Sequence, residues 1–271
     1  MIENLERISD GGLFKIVAMD HRDSLRSILN PQNPLSVPEN QMKETKILLA
    51  KTLSKKASAV ILDPIYGLDA LKVAESGVIL SIERSGYSGT EEERVTELLA
   101  GWFVRKLRDV GANAVKILVY YKPGSGTAKH QEGLVRRVYE DCRKNDLPLI
   151  CEFLLYPSKN DEDIINTARI FSKICDVVKT EAPEEKKNCL KLSDSLDKPW
   201  IALSRGVPFN EFKDILKKAC EGGASGFAAG RGIWGDVILE DEETFKKISL
   251  ERLGELNRIV EENATSWYEK I

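Results

Sequence analysis

The chain has 271 residues, of which 42% are hydrophobic and 31% are charged, as is typical of an ordinary globular protein. A net charge of -3 is unlike that of a nucleic-acid-binding domain, and no apolar run approaches the roughly 20 residues that cross a membrane. The N-terminal segment lacks a signal-peptide core and the five cysteines form no C-x-x-C pair. We therefore expect a cytoplasmic protein with reduced cysteines and with no nucleic-acid or membrane partner.

Eight short apolar runs alternate with longer amphipathic stretches. Continuous apolar runs are typical of parallel strands that are buried on both faces. The predicted strands are Phe14–Met19, Ala59–Leu62, Val78–Ile82, Ala114–Val119, Leu149–Leu154, Asp176–Thr180, Trp200–Leu203 and Gly226–Ala229. The predicted helices are Glu39–Lys56, Leu68–Glu75, Thr90–Val110, Gln131–Asn145, Asp161–Ile174, Pro183–Leu192, Pro208–Glu221 and Asp241–Asn263.

Two of the connecting regions carry specific signals. Thr90 is followed by three glutamates, a capping-box pattern that predicts the start of a helix, and Gly111 is expected to end that helix. The segment His21–Pro38 contains three prolines and predicts a long loop after the first strand, which we expect to act as a lid.

Eight strands that each precede a helix predict an α/β fold, a single (β/α)₈ TIM barrel, with residues 1–271 as one domain. A doubly wound open sheet is the alternative, but eight units fit a closed barrel better. Catalytic residues of such barrels lie where strands run into the following loops. These positions hold Asp20, Asp63, Glu83, Lys116, Glu152, Lys179, Ser204 and Gly230-Arg231.

The strongest chemical signal is the group Lys116, Glu152 and Lys179, because charged residues are uncommon inside apolar strands. Side chains alternate across a strand, so Lys116 shares a face with Ala114, and Lys179 shares a face with Val177. Alternate strands contribute to one interior layer, which predicts that the two lysines nearly meet. A lysine beside another cation is an arrangement that makes a nucleophilic amine. Asp20, Asp63 and Glu83 could equally well be solvent-exposed loop residues with no role in catalysis.

The last two strands carry a pattern that favours phosphate binding. Ser204-Arg205-Gly206 follows the seventh strand and Gly230-Arg231 follows the eighth. Glycine lets the backbone approach an anion, and arginine adds bidentate contacts. Barrel enzymes often bind phosphate at this position.

Taken in order, the motifs resemble the class I tagatose-1,6-bisphosphate aldolase family, which includes sulfofructosephosphate aldolases. The resemblance covers about residues 13 to 240 and depends on the ordered set more than on any single motif. It departs at His21, where a glutamine is expected, and at Arg205, where a small residue is expected. The motifs are Ala18-Met19-Asp20-His21-Arg22, Glu83-Arg84-Ser85-Gly86-Tyr87, Ala114-Val115-Lys116, Glu152-Phe153-Leu154-Leu155-Tyr156, Val178-Lys179-Thr180-Glu181, Leu203-Ser204-Arg205-Gly206-Val207 and Ala229-Gly230-Arg231-Gly232-Ile233-Trp234.

The resemblance implies a carbon-carbon lyase that cleaves a ketose phosphate to dihydroxyacetone phosphate and an aldehyde, without a metal or other cofactor. It implies that Lys179 forms the Schiff base, that Glu152 transfers protons and that Lys116 is their polar neighbour. We expect a homo-oligomer, as barrels of this kind often pair. The expected substrate-binding residues are Asp20, His21, Arg22, Glu83, Ser204, Arg205, Gly206, Gly230 and Arg231.

Three other functions stay open at the level of sequence. A transaldolase-like enzyme or another Schiff-base lyase of the same barrel would place the nucleophile at Lys116. A metal-dependent aldolase or isomerase would use Asp20, Asp63, Glu83 and Glu152, although two histidines offer few metal ligands. A non-catalytic barrel that binds sugar phosphate would not need the lysines.

Overall fold

A computed structural model describes residues 2–157 and 160–270. Its eight parallel strands close into a barrel in chain order, which confirms the predicted TIM barrel over the open sheet. The strand boundaries agree with the predicted ones to within two residues. The strands are β1 (Phe14–Ala18), β2 (Ala59–Leu62), β3 (Gly77–Ser81), β4 (Ala114–Tyr121), β5 (Leu149–Leu155), β6 (Val177–Thr180), β7 (Trp200–Leu203) and β8 (Gly226–Ala229).

Helices fill the connections between the strands, and no described helix is long and apolar enough to cross a membrane. The helices are α1 (Ile2–Arg7), α2 (Asp23–Leu29), α3 (Glu39–Leu53), α4 (Leu68–Leu71), α5 (Val104–Asp109), α6 (Ala128–Lys144), α7 (Asp161–Phe171), α8 (Lys186–Asp194), α9 (Phe209–Glu221), α10 (Arg231–Trp234) and α11 (Glu242–Asn263). Short 3₁₀ turns cover Pro34–Ser36, Ser54–Lys56, Ser172–Ile174 and Trp267–Lys270.

The apolar side chains divide into two clusters because successive strand residues face opposite sides of the barrel wall. The larger cluster joins the outward faces of the strands to the buried faces of the helices. The smaller cluster fills the barrel interior and includes Ala114 and Val177. The predicted facing of β4 and β6 is therefore confirmed, and Lys116 and Lys179 continue these interior rows.

Apolar side chains close the amino-terminal end of the barrel interior. Leu5 and Ile8, from the first helix and the turn after it, join the interior cluster together with Trp267 near the C-terminus. The Trp267 indole nitrogen donates a hydrogen bond to the Ser9 hydroxyl at 2.9 Å, which fixes the ring below the strands. The polar ends of the strands therefore lie at the opposite mouth.

The predicted helix from Thr90 to Val110 is wrong for its first two thirds, because the helix in this span begins at Val104. The Thr90 hydroxyl does accept a hydrogen bond from the Glu93 backbone N–H, at 3.1 Å, as a capping residue would. The turn that follows is a hairpin, in which Ser88–Gly89 pairs antiparallel with Arg94–Val95. Gly89 has a φ of +84°, which favours this turn, and the Arg94 guanidinium packs over aromatic rings. The capping pattern at Thr90 also occurs at helix starts, but here the tertiary contacts of Arg94 favour a hairpin.

The other connections follow the predictions more closely. The helix before Gly111 ends at Asp109, and Gly111 has a φ of +108°. The long segment after β1 is partly helical, since it holds α2 and the 3₁₀ turn Pro34–Ser36. Its role as a lid stays a prediction.

Candidate active site

A cavity of about 360 Å³ opens at the carboxyl ends of the strands. A wider groove of about 800 Å³ lies at the opposite end of the barrel, but there the Lys15 ammonium is already paired with two carboxylates, of Asp10 and Glu261. All twelve site residues predicted from the sequence line the carboxyl-end cavity: Lys179, Glu152, Lys116, Asp20, His21, Arg22, Glu83, Ser204, Arg205, Gly206, Gly230 and Arg231.

Lys116 is the centre of the charge network in this cavity. Its ammonium lies 2.9 Å from an Asp20 oxygen, 2.7 Å from a Glu83 oxygen and 3.0 Å from Glu152 Oε2. The side chain is only 3% exposed, so water provides little alternative solvation. The contacts with Asp20 and Glu83 are hydrogen bonds and the contact with Glu152 is an ion pair, so three carboxylates compensate the buried ammonium.

Glu152 connects the two lysines. Lys179 Nζ donates a hydrogen bond of 2.9 Å to Glu152 Oε2, the same oxygen that Lys116 approaches. Lys179 is 5% exposed, and Glu152 is 11% exposed. A proton can therefore pass between the Lys179 nitrogen and the carboxylate without any movement of the backbone.

The strand register explains why these residues meet. Across β4, β5 and β6 the hydrogen-bonded register aligns Lys116 with Ile150 and Val177. The strands of a closed eight-stranded barrel are tilted, so an interior layer advances by about one residue at each strand. After two strands the layer has moved from Val177 to Lys179. The expected meeting of the two lysines in one layer is confirmed.

The charges of this cluster stabilise one another. Burial alone would lower the pKa of Lys116, but Asp20, Glu152 and Glu83 raise it well above its usual value, so the ammonium stays charged near neutral pH. Burial alone would raise the pKa of Glu152, but Lys116 and Lys179 together lower it. The pKa of Asp20 is lowered in the same way, chiefly by Lys116. Glu152 is therefore an ionised carboxylate, which is the form that can accept a proton.

His21 is a neutral imidazole in this environment. Burial, opposed by Asp20 and assisted by the positive charges of Arg231, Lys46 and Lys179, lowers the pKa of His21 to about 3. The ring packs edge-on against Trp234, with 5.3 Å between the ring centroids. Among the described residues, Nδ1 of His21 is buried without a hydrogen-bond partner. The neutral ring therefore has a nitrogen with unused hydrogen-bonding capacity beside the cavity.

The loops after β7 and β8 form the other side of the cavity. Gly206 has a φ of +83°, and a side chain there would press against the Arg231 guanidinium at 3.0 Å. A side chain at Gly230 would lie 2.6 Å from the Ala18 carbonyl oxygen and from His21 Cε1. A side chain is therefore disfavoured at both positions, by Arg231 at Gly206 and by Ala18 and His21 at Gly230.

Arg205 extends this positive region, but its charge already has a partner. Its guanidinium contacts both carboxylate oxygens of Glu181, at 2.9 and 3.2 Å, and remains 46% exposed. The backbone φ of Arg205 is +48°, which is unusual for a residue with a side chain. A phosphate that approaches Arg205 would have to compete with Glu181 for the guanidinium.

Several cavity residues were missed at the level of sequence. Leu118 and Tyr120 line the cavity because they share the interior face of β4 with Lys116, and Leu154 shares that of β5 with Glu152. Strand alternation was the signal that could have identified all three. Arg84 also lines the cavity and forms a 2.9 Å ion pair with Glu97.

Asp63 does not belong to this group of carboxylates. Its side chain is fully buried, and one of its oxygens lies 2.6 Å from the Lys46 ammonium. In residues 2–157 and 160–270, no three side chains of the His, Cys, Asp and Glu types are grouped so that they could hold a metal ion. Of the four carboxylates that the metal-dependent alternative would use, Asp63 thus lies apart, while Asp20, Glu83 and Glu152 surround the Lys116 ammonium.

Comparison with known proteins gives a consistent result. A family model described as DeoC/LacD family aldolase matches residues 14–236. Tagatose 1,6-diphosphate aldolase of Streptococcus pneumoniae serotype 4 is 30% identical, over 98% of this chain and 97% of the relative. The Lactococcus lactis enzyme of the same name is 29% identical, over 99% of this chain and 98% of the relative.

Solved structures share the fold at lower sequence identity. An archaeal fructose-1,6-bisphosphate aldolase with its catalytic lysine bound to a carbinolamine superposes with a TM-score of 0.69 and 19% identity, over 95% of this chain and 98% of the other. The fructose-bisphosphate aldolase of Slackia heliotrinireducens gives a TM-score of 0.73 and 16% identity, over 96% of this chain and 88% of the other.

Proposed function

The chain belongs to the DeoC/LacD aldolase family, and from that membership and the cavity geometry we propose that it is a class I aldolase. It cleaves a ketose bisphosphate, of the kind named for its tagatose-diphosphate relatives, to dihydroxyacetone phosphate and an aldehyde. The observation that carries the proposal is the 2.9 Å hydrogen bond between Lys179 Nζ and an ionised Glu152 inside the barrel mouth.

Lys179 is the nucleophile. Its free amine attacks the C2 carbonyl of the ketose, and loss of water gives an iminium that accepts the electron pair of the breaking bond. Glu152 can take a proton from the Lys179 ammonium through their hydrogen bond and pass it to the departing hydroxyl. Lys116 holds its own proton because three carboxylates surround it, so it is the cation of the pair and not the nucleophile.

Glu152 is also the base for cleavage. It removes the proton of the C4 hydroxyl, the C3–C4 bond breaks, the aldehyde leaves and an enamine of dihydroxyacetone phosphate remains. Protonation of the enamine at C3 and hydrolysis of the iminium then release the second product and regenerate the amine of Lys179. Asp20 and neutral His21 face the same cavity and are placed to bond substrate hydroxyls.

The phosphate next to the ketone is held at the β7 and β8 loops by Ser204, Gly206, Gly230 and Arg231. Binding energy from this remote group orients the carbonyl toward Lys179. In this proposal residues 1–271 act as one aldolase domain. The expected homo-oligomer and the expected cytoplasmic location stay predictions.

A coupled assay of dihydroxyacetone phosphate release tests the proposal. Tagatose 1,6-bisphosphate, fructose 1,6-bisphosphate and the sulfonated ketose phosphate are offered to the wild type and to Lys179→Met, with and without a chelator. We expect release from at least one of these ketoses, unaffected by chelator and absent in the variant. Release that persists in Lys179→Met, or that requires a metal, contradicts the proposal.

A further inference from the structure

The inference concerns a buried lysine that lies behind the cavity. Lys46, in the middle of α3, has a side-chain exposure of 0%. Its ammonium donates to the backbone carbonyl of Met19 at 2.5 Å and to that of His21 at 2.8 Å, and it lies 2.6 Å from Asp63 Oδ2. Two hydrogen bonds and one ion pair thus compensate the buried ammonium.

We propose that Lys46 is a positioning residue that holds the backbone on both sides of Asp20. The two carbonyls that it binds belong to the residues immediately before and after Asp20. Asp20 in turn bonds the Lys116 ammonium at 2.9 Å, and His21 lines the cavity. Lys46 therefore acts on the site through the backbone and not by contact with a substrate.

Asp63 anchors the lysine at the other side. One oxygen of its carboxylate accepts backbone hydrogen bonds from Ile65 at 3.0 Å and from Tyr66 at 2.9 Å, which fixes the side chain to the turn after β2. The other oxygen faces Lys46. The end of β1 is thereby tied, through one ammonium, to α3 and to the end of β2.

Stability alone does not account for this arrangement. Exchange of a buried ion pair for apolar groups of similar volume is often neutral or stabilising, because desolvation offsets much of the attraction. Met42 and Leu49 lie on the same buried face of α3, so an apolar residue would suit position 46 if only packing mattered. What an apolar side chain cannot supply is a donor for the two carbonyls that flank Asp20.

The test uses a double variant that removes both charges together. Lys46→Met/Asp63→Asn leaves no unpaired buried ion, and the asparagine oxygen retains the bonds from Ile65 and Tyr66. Lys15→Met is the matched control: Lys15 is also a mostly buried lysine with carboxylate partners, but it lies at the start of β1, far from the cavity.

Because the kinetic arm rests on the proposed aldolase function, a ligand-free arm accompanies it. Hydrogen exchange of the free protein should be faster at residues 19–22 in the double variant and unchanged there in Lys15→Met. Equal protection of residues 19–22 in the wild type and the double variant overturns the positioning role, whatever the activity of the protein. A wild type that releases no dihydroxyacetone phosphate refutes the proposed function and leaves this comparison valid.

In the kinetic arm, kcat/KM of the double variant, measured well below its melting temperature, should fall by roughly 100-fold, the scale of a misplaced catalytic group. The loss should overlap with that of Asp20→Asn, so that the triple variant is less impaired than the product of the two effects. A lowered melting temperature with unchanged kcat/KM would instead assign Lys46 a structural role only.

Discussion

Replacement of Lys116 by methionine should cost more stability than its size suggests. The change removes an ammonium that contacts Asp20, Glu83 and Glu152, at 2.9, 2.7 and 3.0 Å. Loss of one partner from a buried ion pair typically costs about 3–5 kcal/mol, because the other charge is left desolvated. Glu152 keeps Lys179 as a partner, and the carboxylates that lose Lys116 can bind protons, so we expect a loss of about 4 kcal/mol at pH 7.

The loss should depend on pH with a defined sign. In the folded wild type the pKa values of Asp20 and Glu152 are lowered, chiefly through attraction to Lys116 in opposition to burial. The stability that these groups contribute is fully present above their unfolded pKa values of about 4 and is lost as the pH falls through the folded values. Without Lys116, burial dominates and the carboxylates bind protons on folding. The difference between variant and wild type should therefore shrink as the pH falls from 7 to about 4.5.

Urea unfolding of Lys116→Met at these two pH values measures the difference. Lys15→Met is the control, because its carboxylate partners Asp10 and Glu261 are 69% and 56% exposed. Because water can solvate these two carboxylates, the loss for Lys15→Met should be about 1 kcal/mol or less and should vary little between the two pH values. A loss below about 1 kcal/mol for Lys116→Met, or one that is the same at both pH values, would refute the buried charge network.

Three further substitutions separate the roles within the cavity. In steady-state assays, Glu152→Gln should lower kcat by about 10²–10⁴-fold, as expected for loss of a general base. Substrate binding, measured by calorimetry, should remain. An unchanged kcat would assign the proton transfer to another residue. The lowered pKa of His21 means that the stability of the wild type falls as the pH decreases from about 6.5, the unfolded pKa of histidine, to about 3, the folded pKa. His21→Gln should make this fall of stability less steep in thermal melts between these pH values. An unchanged slope would mean that the imidazole is not held neutral. Arg231→Lys should raise KM about tenfold with little change in kcat, because a lysine ammonium cannot form the paired hydrogen bonds that a guanidinium forms with a phosphate. A fall in kcat alone would place Arg231 at the reacting carbons.

The barrel and the reacting trio could be predicted from the sequence because both depend on strand alternation. Lys116 and Lys179 interrupt apolar strands, and the period of two places them on the same faces as Ala114 and Val177. The same rule extends to Tyr120, which stands four residues beyond Lys116 on β4 and lines the cavity. Tyr120 carries no distinguishing signal in the sequence, since aromatic residues in a strand are usually packing groups.

The hairpin at residues 88–95 and the role of the buried Lys46 could not be predicted from sequence patterns. Thr90 makes its capping hydrogen bond, yet the chain turns back at Gly89 and Arg94, because the Arg94 guanidinium lies 4.7 Å from the Tyr87 ring and 4.6 Å from the Tyr156 ring. Tyr156 is remote in sequence, and a local pattern contains no information about such a partner. Lys46 stood within the apolar face of α3, but only the fold reveals that two backbone carbonyls lie opposite it.

Borohydride trapping tests the central claim most directly. Wild-type protein is incubated with dihydroxyacetone phosphate, reduced, digested and analysed by peptide mass. We expect a stable adduct on the peptide that carries Lys179 and none in Lys179→Met, with Lys116 unmodified in both. An adduct on Lys116, or the absence of any adduct under conditions in which the enzyme releases dihydroxyacetone phosphate, would contradict a Schiff base at position 179.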